Sequence, residues 1–120
     1  MIQRAVVSEY ISTNFGTSED FLFEKHPSFG VFRHPISGKW FGVLMEIPRS
    51  KVYVSEADDE DIVILNVKIN PELGEILRNK PGIYAAYHMN KQHWVSLDLS
   101  QLSELSEVAQ LVEDSFKLTR

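Results

Sequence analysis

Cysteine is absent from these 120 residues. That removes disulfides, thiol chemistry and every Cys-ligated zinc or iron–sulfur site. No stretch approaches the roughly 18 consecutive apolar residues that a membrane span needs. The opening Met1-Ile2-Gln3-Arg4 lacks the apolar core of a secretory leader, so a reducing, cytoplasmic setting is expected. Gly38, Gly42, Gly74 and Gly82 are scattered rather than gathered into a phosphate loop, and no Gly-x-Ser-x-Gly elbow occurs. Excess positive charge is missing too: the formal net charge is −5. Five acids crowd into Glu56, Asp58, Asp59, Glu60 and Asp61, and outside them twelve acids face twelve bases. A local positive face is therefore allowed by the remainder, but not required. The acidic run lacks the turn glycine and terminal bidentate Glu of a calcium loop and reads as a solvated connection.

What is present suits one α+β domain. Ile2, Ala5, Val6, Val7, Tyr10 and Ile11 form a broad apolar arc on an opening helix, punctuated by Asn14 and Gly16. Phe21-Leu22-Phe23 and Val31-Phe32-Arg33 are β-prone, with a connection at 27–30. A strand is expected over 39–47, with Phe41, Val43, Met45 and Ile47 on one face and Trp40, Gly42, Leu44 and Glu46 on the other. Another runs over 62–69 and turns polar at Asn66 and Lys68, as for a sheet covered on one side. A further short strand is expected at 51–54.

Asn70-Pro71-Glu72 combines an N-cap residue, proline at the first helical position and an early acid, and Leu73, Ile76 and Leu77 supply the buried stripe. Pro81-Gly82 stops that helix. Strands follow at 83–86 and 94–99, and Ser103 is the expected cap of a last helix carrying Leu105, Val108, Leu111, Val112 and Phe116. The expected order is α-β-β-β-β-α-β-β-α, with the short 51–54 strand as an extra element, a two-layer fold with a mainly antiparallel sheet and its helices on one face.

The densest chemistry is Tyr87-His88-Met89-Asn90-Lys91-Gln92-His93-Trp94, between two short strands. Read as a nucleic-acid contact, Lys91 meets a phosphate, Asn90 and Gln92 hydrogen-bond a backbone or base edge, and Trp94 stacks on an unpaired base. His88 and His93 add donors, while Lys68, Arg78 and Lys80 on neighbouring elements extend the strip. Read as a structural corner, Trp94 and Met89 fill the core and Asn90 satisfies turn amides. The five-residue separation of His88 and His93 does not align them on one helix face, and the octet holds no carboxylate. Neither a metal nor another cofactor is expected. His26 and His34 flank the 29–30 connection without forming a catalytic constellation, and Trp40 with Leu44 marks a face that a partner would cover if it were bare.

Asn66-Val67-Lys68-Ile69-Asn70-Pro71-Glu72-Leu73, then Ile76-Leu77-Arg78, then the octet with its His-Met-Asn-Lys-x-His-Trp string, resembles the MmcQ/YjbR family. The similarity extends to the 32–44 hairpin region and to the closing Leu111-to-Phe116 stretch. The resemblance implies a compact fold similar to the frataxin/CyaY-like and secretion-chaperone-like architectures. It also implies DNA binding through a double-wing arrangement of strands and loops. The expectation is a non-enzymatic module that binds DNA weakly, in a salt-dependent way, around 87–94. The alternatives are a protein- or peptide-binding sheet face and a small-molecule site lined by His88, His93 and Trp94.

Overall fold

The computed structural model describes residues 1–54 and 58–120. Glu56 of the acidic run lies outside the described residues. Helix α1 (Arg4–Phe15) leads to strands β1 (Gly30–Arg33), β2 (Trp40–Pro48) and β3 (Asp61–Lys68). The short helix α2 (Gly74–Arg78), strands β4 (Ile83–Ala85) and β5 (Trp94–Asp98), and helix α3 (Leu105–Thr119) complete the chain. The sheet order is β1-β2-β3-β5-β4, and every pairing is antiparallel. Helices cover one face of this two-layer α+β fold.

The structure lacks two of the expected strands. Phe21-Leu22-Phe23 does not form a strand; only Asp20 bridges to Val31, and all three apolar side chains are exposed. At 51–54 a 3-10 turn over Arg49–Lys51 takes the place of the short strand. The order is therefore α-β-β-β-α-β-β-α.

On the helix-covered face, Val7 and Ile11 of α1 and Val108 and Val112 of α3 meet Leu44, Leu65, Val67, Val95 and Leu97. The arc of α1 is narrower than its composition suggests, since Ala5 and Val6 face solvent. Gly16 ends the helix at φ 66°, a left-handed cap in which its N–H donates to Ser12 O at 3.1 Å. Asn70 starts the next helical segment as expected, accepting the Glu72 N–H at 3.0 Å. Leu73 and Ile76 are exposed there, however, and only Leu77 packs inward, because the segment is a 3-10 turn (Pro71–Leu73) followed by five α residues. At α3, Glu104 rather than Ser103 occupies the cap position, with no side-chain cap bond.

The alternation expected along β2 breaks at its start. Phe32 pairs with Gly42 but Arg33 pairs with Trp40, so Phe41 is an extra, bulged residue. The bulge turns Phe41 into the helix-side core and leaves Trp40 on the opposite side with Val43 and Met45. Where the β2–β3 ladder would continue to Phe41 and Lys68, α3 inserts buried Ser115. Its Oγ donates to Phe41 O at 2.6 Å and accepts the Lys68 N–H at 2.9 Å.

The second face is not solvated, contrary to the reading of Asn66. Val31, Val43, Met45, Ile47, Ile62 and Ile64 lie beneath Phe29, Val52, Tyr53, Tyr87 and Met89. Connecting segments cover this face, and its polar residues Asn66, Ser96 and Asp98 are fully buried. They are buried with partners. Asp98 accepts Tyr53 OH at 3.0 Å and both Ser100 donors, while Tyr53 stacks on Tyr84 at 4.7 Å.

Candidate binding site

The octet is stitched to the sheet at its first residue. Asn66 Nδ2 donates to Tyr87 O at 2.8 Å, and Ser96 Oγ accepts the Tyr87 N–H at 2.9 Å. Ser96 Oγ also donates to Asn66 Oδ1 at 2.5 Å, closing a buried circuit of three hydrogen bonds. Asn66 and Ser96 face each other across β3 and β5, so the sheet register itself positions the loop.

Beyond Tyr87 the chain reverses around Asn90. Asn90 Oδ1 accepts the Gln92 N–H at 2.8 Å, and Asn90 O accepts the N–H groups of His93 and Trp94. This is an Asx-type turn. Asn90 thus holds the turn together while remaining exposed. Lys91 Nζ donates to Ala86 O at 2.6 Å, which fixes the ammonium across the loop base. Arg78 Nη1 reaches Lys91 O at 3.2 Å. Together Pro71, Arg78, Lys91 and Gln92 line an open concavity of about 520 Å³ that contains no carboxylate. Glu72 and Glu75 are exposed on the same helical segment.

The remaining candidates are distributed differently. Lys68 and Trp94 pair across β3 and β5, and both are half-buried. His93 is half-buried as well, with its carbonyl accepting the Ile69 N–H at 2.8 Å. Lys80 lies in another groove, between α2 and α3, which Glu107 and Asp114 also line. Acidic neighbours counter its charge there. The nine residues read as one strip therefore separate: Arg78, Lys91 and Gln92 come together, and Lys80 does not join them.

His88 and Met89 turn the other way, onto the loop-covered sheet face. His88 sits at φ 60°, the one non-glycine residue in the left-handed region among the described residues. Its ring lies 4.2 Å from Tyr87 and 6.3 Å from His26. Phe23, His26, Phe29, Trp40, His88 and Met89 enclose a cleft of about 240 Å³ floored by Val43 and Met45. His26, Phe23 and Trp40 were not among the sequence candidates for this cleft. No local spacing joins residue 26 to residue 88; the only hint was the apolar 21–23 run beside a histidine.

His34 is buried elsewhere, its Nε2 2.7 Å from Thr119 Oγ1 and its ring 4.1 Å from Phe116. Burial lowers its pKa, nearby Lys39 and Arg120 lower it further, and a hydrogen bond with the Phe116 backbone opposes them. Among the described residues, no group of three His, Asp or Glu side chains is placed to hold a metal ion, and no helix is long and apolar enough to cross a membrane.

A YjbR family model matches residues 14–118. The chain is 35% identical to the uncharacterised protein YyaQ of Bacillus subtilis (strain 168) over 120 residues, the whole of both chains. It is also 35% identical over 94 residues to the uncharacterised protein YbdF of Escherichia coli O157:H7, covering 77% of this chain and 65% of that one. A crystal structure of a Pseudomonas syringae protein superposes with a TM-score of 0.94 at 40% identity, covering 99% of this chain and 100% of the other. A Deinococcus radiodurans crystal structure shares the fold at 22% identity, with a TM-score of 0.65 over 92% of this chain and 73% of its own. With the family match spanning nearly the whole domain and full-length similarity to YyaQ, the chain belongs to the YjbR family.

Proposed function

We propose that the chain is a non-enzymatic binding module that contacts nucleic acid weakly, through the ledge formed by Arg78, Lys91 and Gln92. The observation that carries this reading is the bond from Arg78 Nη1 to the Lys91 carbonyl, which joins two cationic residues that line one carboxylate-free concavity. A guanidinium offers a phosphate two parallel donors, the ammonium adds a point charge, and the Gln92 amide reaches a sugar or base edge. Glu72, Glu75 and the net charge of −5 limit the surrounding field, so the contact is small. A peptide lying on a bare sheet face is less well supported, because helices cover one face and connecting segments the other.

Two phosphate contacts give a slope of about −2 in log affinity against log salt on duplex DNA. Affinity then falls about tenfold between 50 and 200 mM salt. Fluorescence anisotropy with short single- and double-stranded DNA measures this directly. Arg78→Ala and Lys91→Gln are each expected to flatten the slope by about one unit. Lys91→Gln retains a donor for Ala86 O, which separates loss of charge from loss of the loop. Lys80→Ala serves as the control on the separate groove and leaves the slope unchanged. Flat anisotropy at low salt with both DNA forms, or equal losses from Lys80→Ala and Lys91→Gln, would remove this reading.

A further inference from the structure

We infer that the cleft between the 21–29 segment and the octet is a second binding site, independent of the cationic ledge, for a small, uncharged, planar heteroaromatic ring. Its walls are packed rings, two pairs edge-on and one stacked. Phe23 meets Trp40 edge-on at 5.9 Å and 87°, and meets Phe29 at 6.1 Å and 74°. His26 stacks on Phe29 at 4.5 Å and 9°. The rings already pack on one another, and a planar group entering the cleft meets the faces and edges they leave free, the two arrangements aromatic rings favour. Val43 and Met45 form an apolar floor, and Met89 supplies a second adaptable thioether.

Size and charge narrow the occupant. At about 240 Å³ the cleft is smaller than the roughly 300–1,000 Å³ of sites for drug-sized ligands, so one ring or a fused pair is the natural guest. No carboxylate, ammonium or guanidinium lines it, and a charged guest would find no formal counter-charge there. The imidazoles of His26 and His88 and the indole of Trp40 carry the polar side-chain atoms of the lining; the indole N–H donates, and neutral imidazole offers both a donor and an acceptor. A ring with polar atoms on its edge uses them; a bare hydrocarbon does not. His88 reaches this position in a backbone conformation that non-glycine residues seldom adopt. Phe23, which lines the cleft, is itself solvent-exposed instead of entering the core.

Adenine and indole, with cyclohexanol and indole-3-acetate as shape and charge controls, test the inference by protein-detected NMR on the intact chain. Adenine and indole are expected to shift the Trp40 indole N–H and the His26 and His88 amides, with dissociation constants of about 0.1–1 mM for so few atoms. The Trp94 indole N–H provides an internal reference outside the cleft. His88→Ala and Phe23→Ala, both at exposed side chains, should each weaken adenine about fivefold. Neither substitution should alter the salt dependence of DNA anisotropy. The inference is overturned if cyclohexanol or indole-3-acetate binds as tightly as indole, if shifts gather at Trp94, or if adenine and indole produce none at millimolar concentration.

Discussion

Replacing Asn66 by alanine tests how the sheet holds the octet. Asn66 is fully buried and takes part in two of the three bonds in the Tyr87 circuit. The substitution removes the donor to the part-buried Tyr87 O and the acceptor for the buried Ser96 Oγ, leaving both without those partners. An orphaned buried polar group costs about 1–3 kcal/mol, and the void left by the amide adds to it. The expected loss is about 2–4 kcal/mol, a sizeable share of the roughly 5–15 kcal/mol that stabilises a typical domain. Urea denaturation measures it, with an unchanged m-value showing that the compactness of the end states is preserved.

Ser96→Ala should cost a similar amount, since Ser96 also supplies the partner of the Tyr87 N–H. The double variant should cost less than the sum of the two, because each single change already orphans groups the other would have bonded. A coupling of about 1 kcal/mol or more is expected for residues in one network. Amide exchange at 87–93 should accelerate in either single variant, while exchange in β2 follows only the global loss. A stability loss below about 0.5 kcal/mol for Asn66→Ala, or strict additivity with Ser96→Ala, would show that the circuit does not anchor the loop.

Three other outcomes follow from the packing of Ser115, His34 and Gly82. Ser115→Ala should destabilise by about 1–3 kcal/mol in urea denaturation, because it strands both Phe41 O and the Lys68 N–H at the bulge. His34 holds fewer protons in the folded state than in the unfolded chain, whose imidazole titrates near 6.5. Its contribution is therefore complete above that pH and lost as pH falls toward and through the lowered folded value; His34→Gln should abolish this part of the slope in denaturation midpoints between pH 5 and 7. Gly82 sits at φ 83°, and an added Cβ would lie 2.9 Å from Leu102 Cδ2, so Gly82→Ala should cost about 1–2 kcal/mol and lower the thermal midpoint.

The long strands were legible because their side chains alternate strictly: Val63, Leu65 and Val67 face the helices, and Val95 and Leu97 repeat the pattern on β5. Asn70-Pro71 and Gly16 were legible because local geometry alone decides them. Phe41 was not, since one bulged residue reverses the phase of the strand and no composition marks where it falls. Asn66 looked like a solvent residue because polarity is a poor guide to exposure when the partners lie 21 and 30 positions away. The 21–23 run carries strand propensity, yet it forms no ladder, and its Phe23 lines a cleft instead. Propensity reports a residue's fit to a half-buried surface, not the surface on which it will lie.

The octet is not one ledge but a hinge between two surfaces. Asn90 lies between His88 and Lys91, and its turn sets the His88 imidazole at the aromatic cleft and the Lys91 carbonyl against Arg78. Both sides depend on the same anchor at Tyr87, so disturbing Asn66 should impair them together. Arg78→Ala and His88→Ala should each impair only one. A histidine-rich loop of this kind needs polar support in the sheet beneath it, and Asn66 and Ser96 provide that support on a face otherwise packed with valine, isoleucine and methionine. The burial of those two residues is thus better understood as a positioning device than as a contribution to the core.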